Sequence, residues 1–144
     1  MMRYLLPCFY AFLCCLAFSF VFELRNWRYI LAASFTGAVS WAVFLAAGSG
    51  TIAYFLATIA VAGLAELFAR IFKVPATVFI IVGIIPMVPG GGMYYTMDAL
   101  VSGNMPLFVE RGMQTAASAG AIAVGCSLVT SLARILTWRK REKK

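Results

Sequence analysis

Of 144 residues, 63% are apolar and only 12% are charged, a balance outside the range of soluble globular domains. A water-soluble chain this short has no core large enough to hide that much apolar surface, so lipid must be part of its solvent. The net charge of +7 is concentrated in the tail 138–144, WRKREKK, which holds five of the twelve lysines and arginines; beside an apolar segment this marks the cytoplasmic end of a membrane helix rather than a nucleic-acid surface.

The first apolar run, residues 4–22, is nineteen residues long, which as a helix spans close to the ~30 Å hydrocarbon layer. Its length, its aromatic end and the lack of a small-x-small cleavage site argue against a cleaved signal peptide. The second run, 29–47, and the third, 51–69, are joined by Gly48, Ser49 and Gly50, so they form an antiparallel hairpin. Small residues at helical spacing, Ala33 with Gly37 and Ala53 with Ala57, let their backbones approach closely.

The fourth run, 76–101, is interrupted by Pro86-Met-Val-Pro-Gly-Gly-Gly92. The fifth, 112–138, repeats small residues every fourth position at Gly112, Ala116 and Gly120, with Ala117, Ala121 and Gly125 as an adjacent ridge. Such a helix is expected to pack against protein. The reading is an all-α integral membrane protein of about five transmembrane helices, the fourth broken, in one domain over 1–138 with a basic cytoplasmic tail at 139–144. Five crossings place ten positive residues on the tail side and leave Arg3 and Arg111 on the other, which sets the N-terminus outside. No connection exceeds about ten residues, so there is no catalytic domain.

Chemistry-bearing residues are few. Histidine is absent, which removes the usual general base and the commonest metal ligand. Cys8, Cys14, Cys15 and Cys126 lie in apolar runs without zinc-ligand spacing and read as packing residues. The expectation is no enzyme, no metal and no cofactor.

The interruption carries the functional reading. Pro86 leaves the carbonyl of Val82 without its helical partner, and Pro89 does the same to Ile85. Three glycines, Gly90, Gly91 and Gly92, then lift the side-chain restraint on the backbone. An unwound stretch inside the bilayer is tolerated only where it lines a cavity or is buried in protein. The half-helix after it is expected to turn the N–H groups of about Gly92 to Tyr95 toward the break, where they attract a carboxylate. A bulky residue at Gly91 is expected to stop transport while leaving insertion intact. No Lys-Ser/Thr follows the glycines, so this is not a phosphate loop.

Polar residues nearby complete the candidate list. Tyr94, Tyr95 and Asp98 share the second half-helix, and Asp98 one turn beyond Tyr94 faces protein, a wet cavity or the outer interface. Glu66 and Arg70, four apart, form an interfacial ion pair or serve as an inner gate or proton path. Thr77, Thr96, Gln114, Thr115 and Ser118 have hydrogen-bonding potential toward a substrate or a neighbouring helix.

The stretch 75–95, PATVFIIVGIIPMVPGGGMYY, together with Asn104 and the run QTAASAGAIAVG, resembles the threonine/serine exporter family, in particular its compact C-terminal membrane domain. The resemblance implies export of small amino acids such as threonine and serine, or of dicarboxylates such as succinate, across the cell inner membrane and driven by the proton motive force. It further implies a larger membrane subunit as partner, and Pro86, Pro89, Gly90, Gly91, Gly92 and Tyr94 as the site region. A homo-oligomeric channel, or a structural subunit without a substrate of its own, is the alternative.

Overall fold

Each apolar run becomes helix, because in lipid only a helix satisfies its own backbone groups within one segment. The structure, a computed structural model, describes residues 2–48 and 50–142; Met1, Ser49 of the expected turn and Lys143 and Lys144 of the basic tail lie outside the described residues. The elements are α1 (Met2–Val21), α2 (Trp27–Ala46), α3 (Thr51–Phe72), α4 (Thr77–Ile84), a single 3₁₀ turn (Ile85–Met87), α5 (Gly90–Val101) and α6 (Met105–Glu142). No strand occurs among the described residues. The chain is an all-α integral membrane protein: α2, α3 and α6 are each long and apolar enough to cross a bilayer, α4 and α5 together form a bent fourth span, and α1 adds a shorter apolar helix.

Local chemistry sets the boundaries. Asn26 caps α2 by accepting the N–H of Arg28 at 3.1 Å, which supplies one of the acceptors a helix start lacks. The α2–α3 turn needs left-handed backbone, and Gly48 (φ +81°) and Gly50 (φ +128°) provide it. The last helix starts at Met105, not near Gly112. Asn104 Oδ1 accepts the N–H of Leu107 at 3.2 Å, and Pro106 sits in the first turn, where its missing N–H is harmless. Arg111, expected in an outer loop, is therefore inside α6.

Helix packing is built on small residues. Ala32, Ala33, Gly37, Ala53, Ala57, Ala62, Ala65 and Ala69 are buried where α2 and α3 meet their neighbours. Three buried hydroxyls donate to their own helix, Ser34 to Ile30, Thr36 to Ala32 and Thr58 to Tyr54, each at 2.8 Å, so these three add no unpaired donor in lipid. Tyr29, Phe68, Phe72 and Phe79 close the α2–α3–α4 end as an aromatic cluster, with ring centroids 5.3 to 6.2 Å apart.

α3 and α6 run parallel. Tyr54 shares a cavity with Gln114 and Thr115, Phe55 meets Gly125, and Arg70 donates to the carbonyl of Ala133 at 3.4 Å, so both helices advance in the same direction. α6 is the outlier in burial. Only 11% of its apolar window is buried, against 39% for α2 and 33% for α3. Of the small residues expected to pack against protein, Gly112 meets Thr96 and Gly125 meets Phe55 and Thr58, while Ala116, Ala117 and Gly120 are exposed; the buried face runs through Ser118, Gly125 and Ala133.

Candidate functional site

The fourth span is broken, and the break is one-sided. α4 covers only about 12 Å of a ~30 Å layer before the chain bends by 48° into α5. The two carbonyls that the prolines deprive both find donors. Val82 accepts the Ile85 N–H and the thiol of Cys15 at 3.3 Å, and Ile85 accepts the Val88 N–H at 3.3 Å. The tightened 3₁₀ turn thus does what a continuous helix would have done.

Behind the break, α2 is in close contact. A Cβ on Gly37 would run into the Cys15 thiol and lie 3.7 Å from Pro86 Cγ, and a Cβ on Gly83 would stand 3.0 Å from Thr36 and 3.2 Å from Val61. Pro86 itself borders an apolar groove with Pro7, Tyr10 and Trp41. This side is apolar, with tight glycine contacts next to that groove.

The other side is open and polar. Gly90, Gly91 and Gly92 do not form an unwound loop; they are the first turn of α5, with Pro89 at the cap. None has positive φ. Gly90 donates to Val88 at 2.7 Å and Met93 to Pro89 at 3.1 Å. The N–H groups of Gly91 and Gly92 find no acceptor among the described residues. The free donors are therefore Gly91 and Gly92, and of the expected Gly92 to Tyr95 only Gly92 is among them, because the helix starts as soon as Pro89 ends and Met93 already donates to Pro89. Their N–H bonds run back along the helix axis toward the break, at the positive end of the α5 dipole.

A cavity of about 170 Å³ opens there, lined by Tyr54, Pro89, Gly92, Tyr95, Arg111, Gln114, Thr115 and Ser118. It is a small, partly open hollow, on the scale of a small metabolite rather than of a drug-sized ligand. Its charged member is Arg111, half-buried in α6 with its guanidinium carbon 5.2 Å from the Tyr95 ring centroid, a stacking that holds the cation in place. Thr115 donates to the Arg111 carbonyl at 2.8 Å and Ser118 to Gln114 at 2.9 Å. Both hydroxyl hydrogens are thus occupied, and the oxygens offer lone pairs. The site combines a fixed cation and free amide donors with neutral acceptors. No carboxylate lines it.

Glycine matters here for closeness rather than conformation. A Cβ on Gly92 would lie 2.6 Å from Thr115 Oγ1, whereas one on Gly91 or Gly90 would meet nothing within 4 Å. The steric constraint thus falls on Gly92, not on Gly91. Thr96 donates to the Gly92 carbonyl at 2.7 Å and approaches Thr115 at 3.5 Å, which ties α5 to α6 at this level.

Of the residues singled out in the sequence, Pro89, Gly92 and Tyr95 line the cavity, with Gln114, Thr115 and Ser118. Gly90 and Gly91 are beside it in the same helical turn. Tyr94 is 67% exposed and stacks edge-on against Tyr95, and Asp98 is exposed; neither lines the cavity. Glu66 and Arg70 pair at 3.9 Å, far along α3. Arg111 and Tyr54 were missed. The signal for Arg111 was available, since 111, 114, 115 and 118 follow helical spacing on one face.

The family model described as Threonine/Serine exporter, ThrE, matches residues 7–132. No curated protein and no solved structure matches the chain. The family match runs from α1 through most of α6, including the break and the cavity, and the chain belongs to the threonine/serine exporter family, a family of membrane transporters.

Proposed function

We propose that this member of the threonine/serine exporter family carries small carboxylate-bearing metabolites, serine- or threonine-like amino acids or dicarboxylates such as succinate, through the cavity beside its broken helix. The observation that carries the reading is a fixed arginine, Arg111, opposite a helix start with two free N–H groups. A carboxylate entering the cavity takes the Arg111 guanidinium and the Gly91 and Gly92 amides as charge-assisted donors. An ammonium or hydroxyl on the same molecule then turns its hydrogens to the Thr115 and Ser118 oxygens, whose own hydrogens are occupied. Tyr54, Tyr95 and Gln114 bound the space and set its size.

The chain works in the inner membrane, N-terminus outside and basic tail in the cytoplasm, as one subunit of a larger transporter. The exposed face of α6 supports this, because Ala116, Ala117 and Gly120 offer a neighbouring helix close approach. The expected neighbour is the larger subunit of the family. The alternative is a second copy of this chain, forming a channel or a purely structural assembly.

Export of labelled L-serine and succinate from cells, with and without the partner, tests the reading. Efflux that needs both chains and falls at least about tenfold with Arg111→Gln is the expected result. Unchanged efflux without this chain makes it a structural component at most, and Ohmic current from the purified chain alone makes it a channel.

A further inference from the structure

The α3–α6 seam holds a second polar hollow at its other end. It measures about 440 Å³, and its polar groups come from three helices: Glu66 from α3, Thr77 from the start of α4, and Thr130 and Arg134 from α6. From Thr115 to Thr130 the rise along α6 is about 22 Å, so the two hollows are separate. Between them the helices touch. A Cβ on Gly125 would lie 3.2 Å from the Phe55 carbonyl and 3.3 Å from Thr58, which leaves no passage at that level.

The two hollows differ in charge. The one at the break presents a cation and no acid, while the second presents both signs, Glu66 and Arg134. Glu66 is only loosely engaged by its neighbour: Arg70 approaches one carboxylate oxygen at 3.9 Å and also reaches across to the Ala133 carbonyl. At that separation and exposure the pair is weak, so Glu66 retains acceptor capacity. Thr130 donates to the Cys126 carbonyl at 2.8 Å, leaving its oxygen as an acceptor. Acceptors for an ammonium and a donor for a carboxylate thus line one hollow on a single transport seam.

We propose that this second hollow is another station for the same cargo, selective for the zwitterionic head of an α-amino acid over a carboxylate alone. Arg134 takes the carboxylate, and Glu66 with Thr130 takes the ammonium. The inference rests on reading the cavity at the break as a cargo site, and the close contact at Gly125 is the barrier that the cargo crosses between stations.

The test is equilibrium binding of labelled L-serine to the full chain in lipid nanodiscs, in the Arg111→Gln background that disables the first cavity. N-acetyl-L-serine, which keeps the carboxylate and lacks the ammonium, is the competitor. One serine per chain is expected to remain bound, with L-serine displacing label at least tenfold better than the acetylated form. Adding Glu66→Gln is expected to bring that preference within threefold, and Glu66→Asp to restore most of it. No residual binding, or a preference unmoved by Glu66→Gln, overturns the second station. The reading of the first cavity fails separately, through an Arg111→Gln chain whose stoichiometry and affinity equal those of the wild type.

Discussion

The two faces of the broken span are made from the same kinds of residue, yet they behave in opposite ways. On the α1–α2 side, glycine brings helices into close contact beside an apolar groove: Gly37 lies against Cys15, Gly83 lies against Thr36 and Val61, and the Val82 and Ile85 carbonyls freed by Pro86 and Pro89 have been recaptured. On the α5–α6 side, glycine opens a helix with two uncapped N–H groups, and the facing helix supplies an arginine and hydroxyl oxygens instead of alkyl groups. Proline and glycine alone therefore do not make a site. What differs is what the opposite helix presents. A kink backed by small apolar residues is a rigid hinge post, and the same kink facing a polar stripe is a binding cavity.

The comparison can be broken most severely at Arg111. Arg111→Gln removes a charge-assisted contact of about 1.5–3 kcal/mol, so labelled-serine export should fall roughly 10- to 100-fold while the chain still accumulates in the membrane, as read by immunoblot of membrane fractions. A normal rate would leave the open face without its cation. Next comes Gly92→Ala. Its Cβ meets Thr115 Oγ1, so export should drop about tenfold if roughly 1.4 kcal/mol of binding is lost. Gly91→Ala, whose Cβ meets nothing within 4 Å, should stay within twofold.

On the apolar face the effect is on stability. Gly37→Ala overpacks the α1–α2 contact at a cost of about 1–3 kcal/mol, seen as a lower unfolding temperature in detergent. Adding Cys15→Ala should recover part of it, since the thiol is the atom in the way; no recovery would mean that the backbones themselves collide. Smallest of all is Asp98→Asn. Asp98 is exposed and outside the cavity, so serine export should change less than twofold, and a large loss would move the proton-coupling group onto α5.

Much of this architecture was legible in the sequence. Apolar run lengths gave the membrane helices, and the proline-glycine cluster located the break. The Ala33/Gly37 and Ala53/Ala57 spacings identified buried contacts, because close helix approach depends on side-chain size, a local property. What was not legible depended on neighbours. That Val82 would be rescued by Cys15, sixty-seven residues away, has no local signature. Where α6 begins turned on Asn104 as a cap, which moved Arg111 from a loop into a helix face and so into the cavity. Asp98 and Tyr94 drew notice because charge and aromatics in a membrane segment are often functional; both are exposed and outside the cavity lining.

Solvent and cargo access to the α5–α6 cavity can be measured directly. In membranes carrying Thr115→Cys, a membrane-impermeant anionic thiol reagent should label residue 115, read as the mass of the modified peptide, and L-serine or succinate should slow that labelling in a concentration-dependent way. A thiol at 115 that never reacts, or one that reacts at a rate indifferent to both metabolites, would contradict a hydrated carboxylate site at the break.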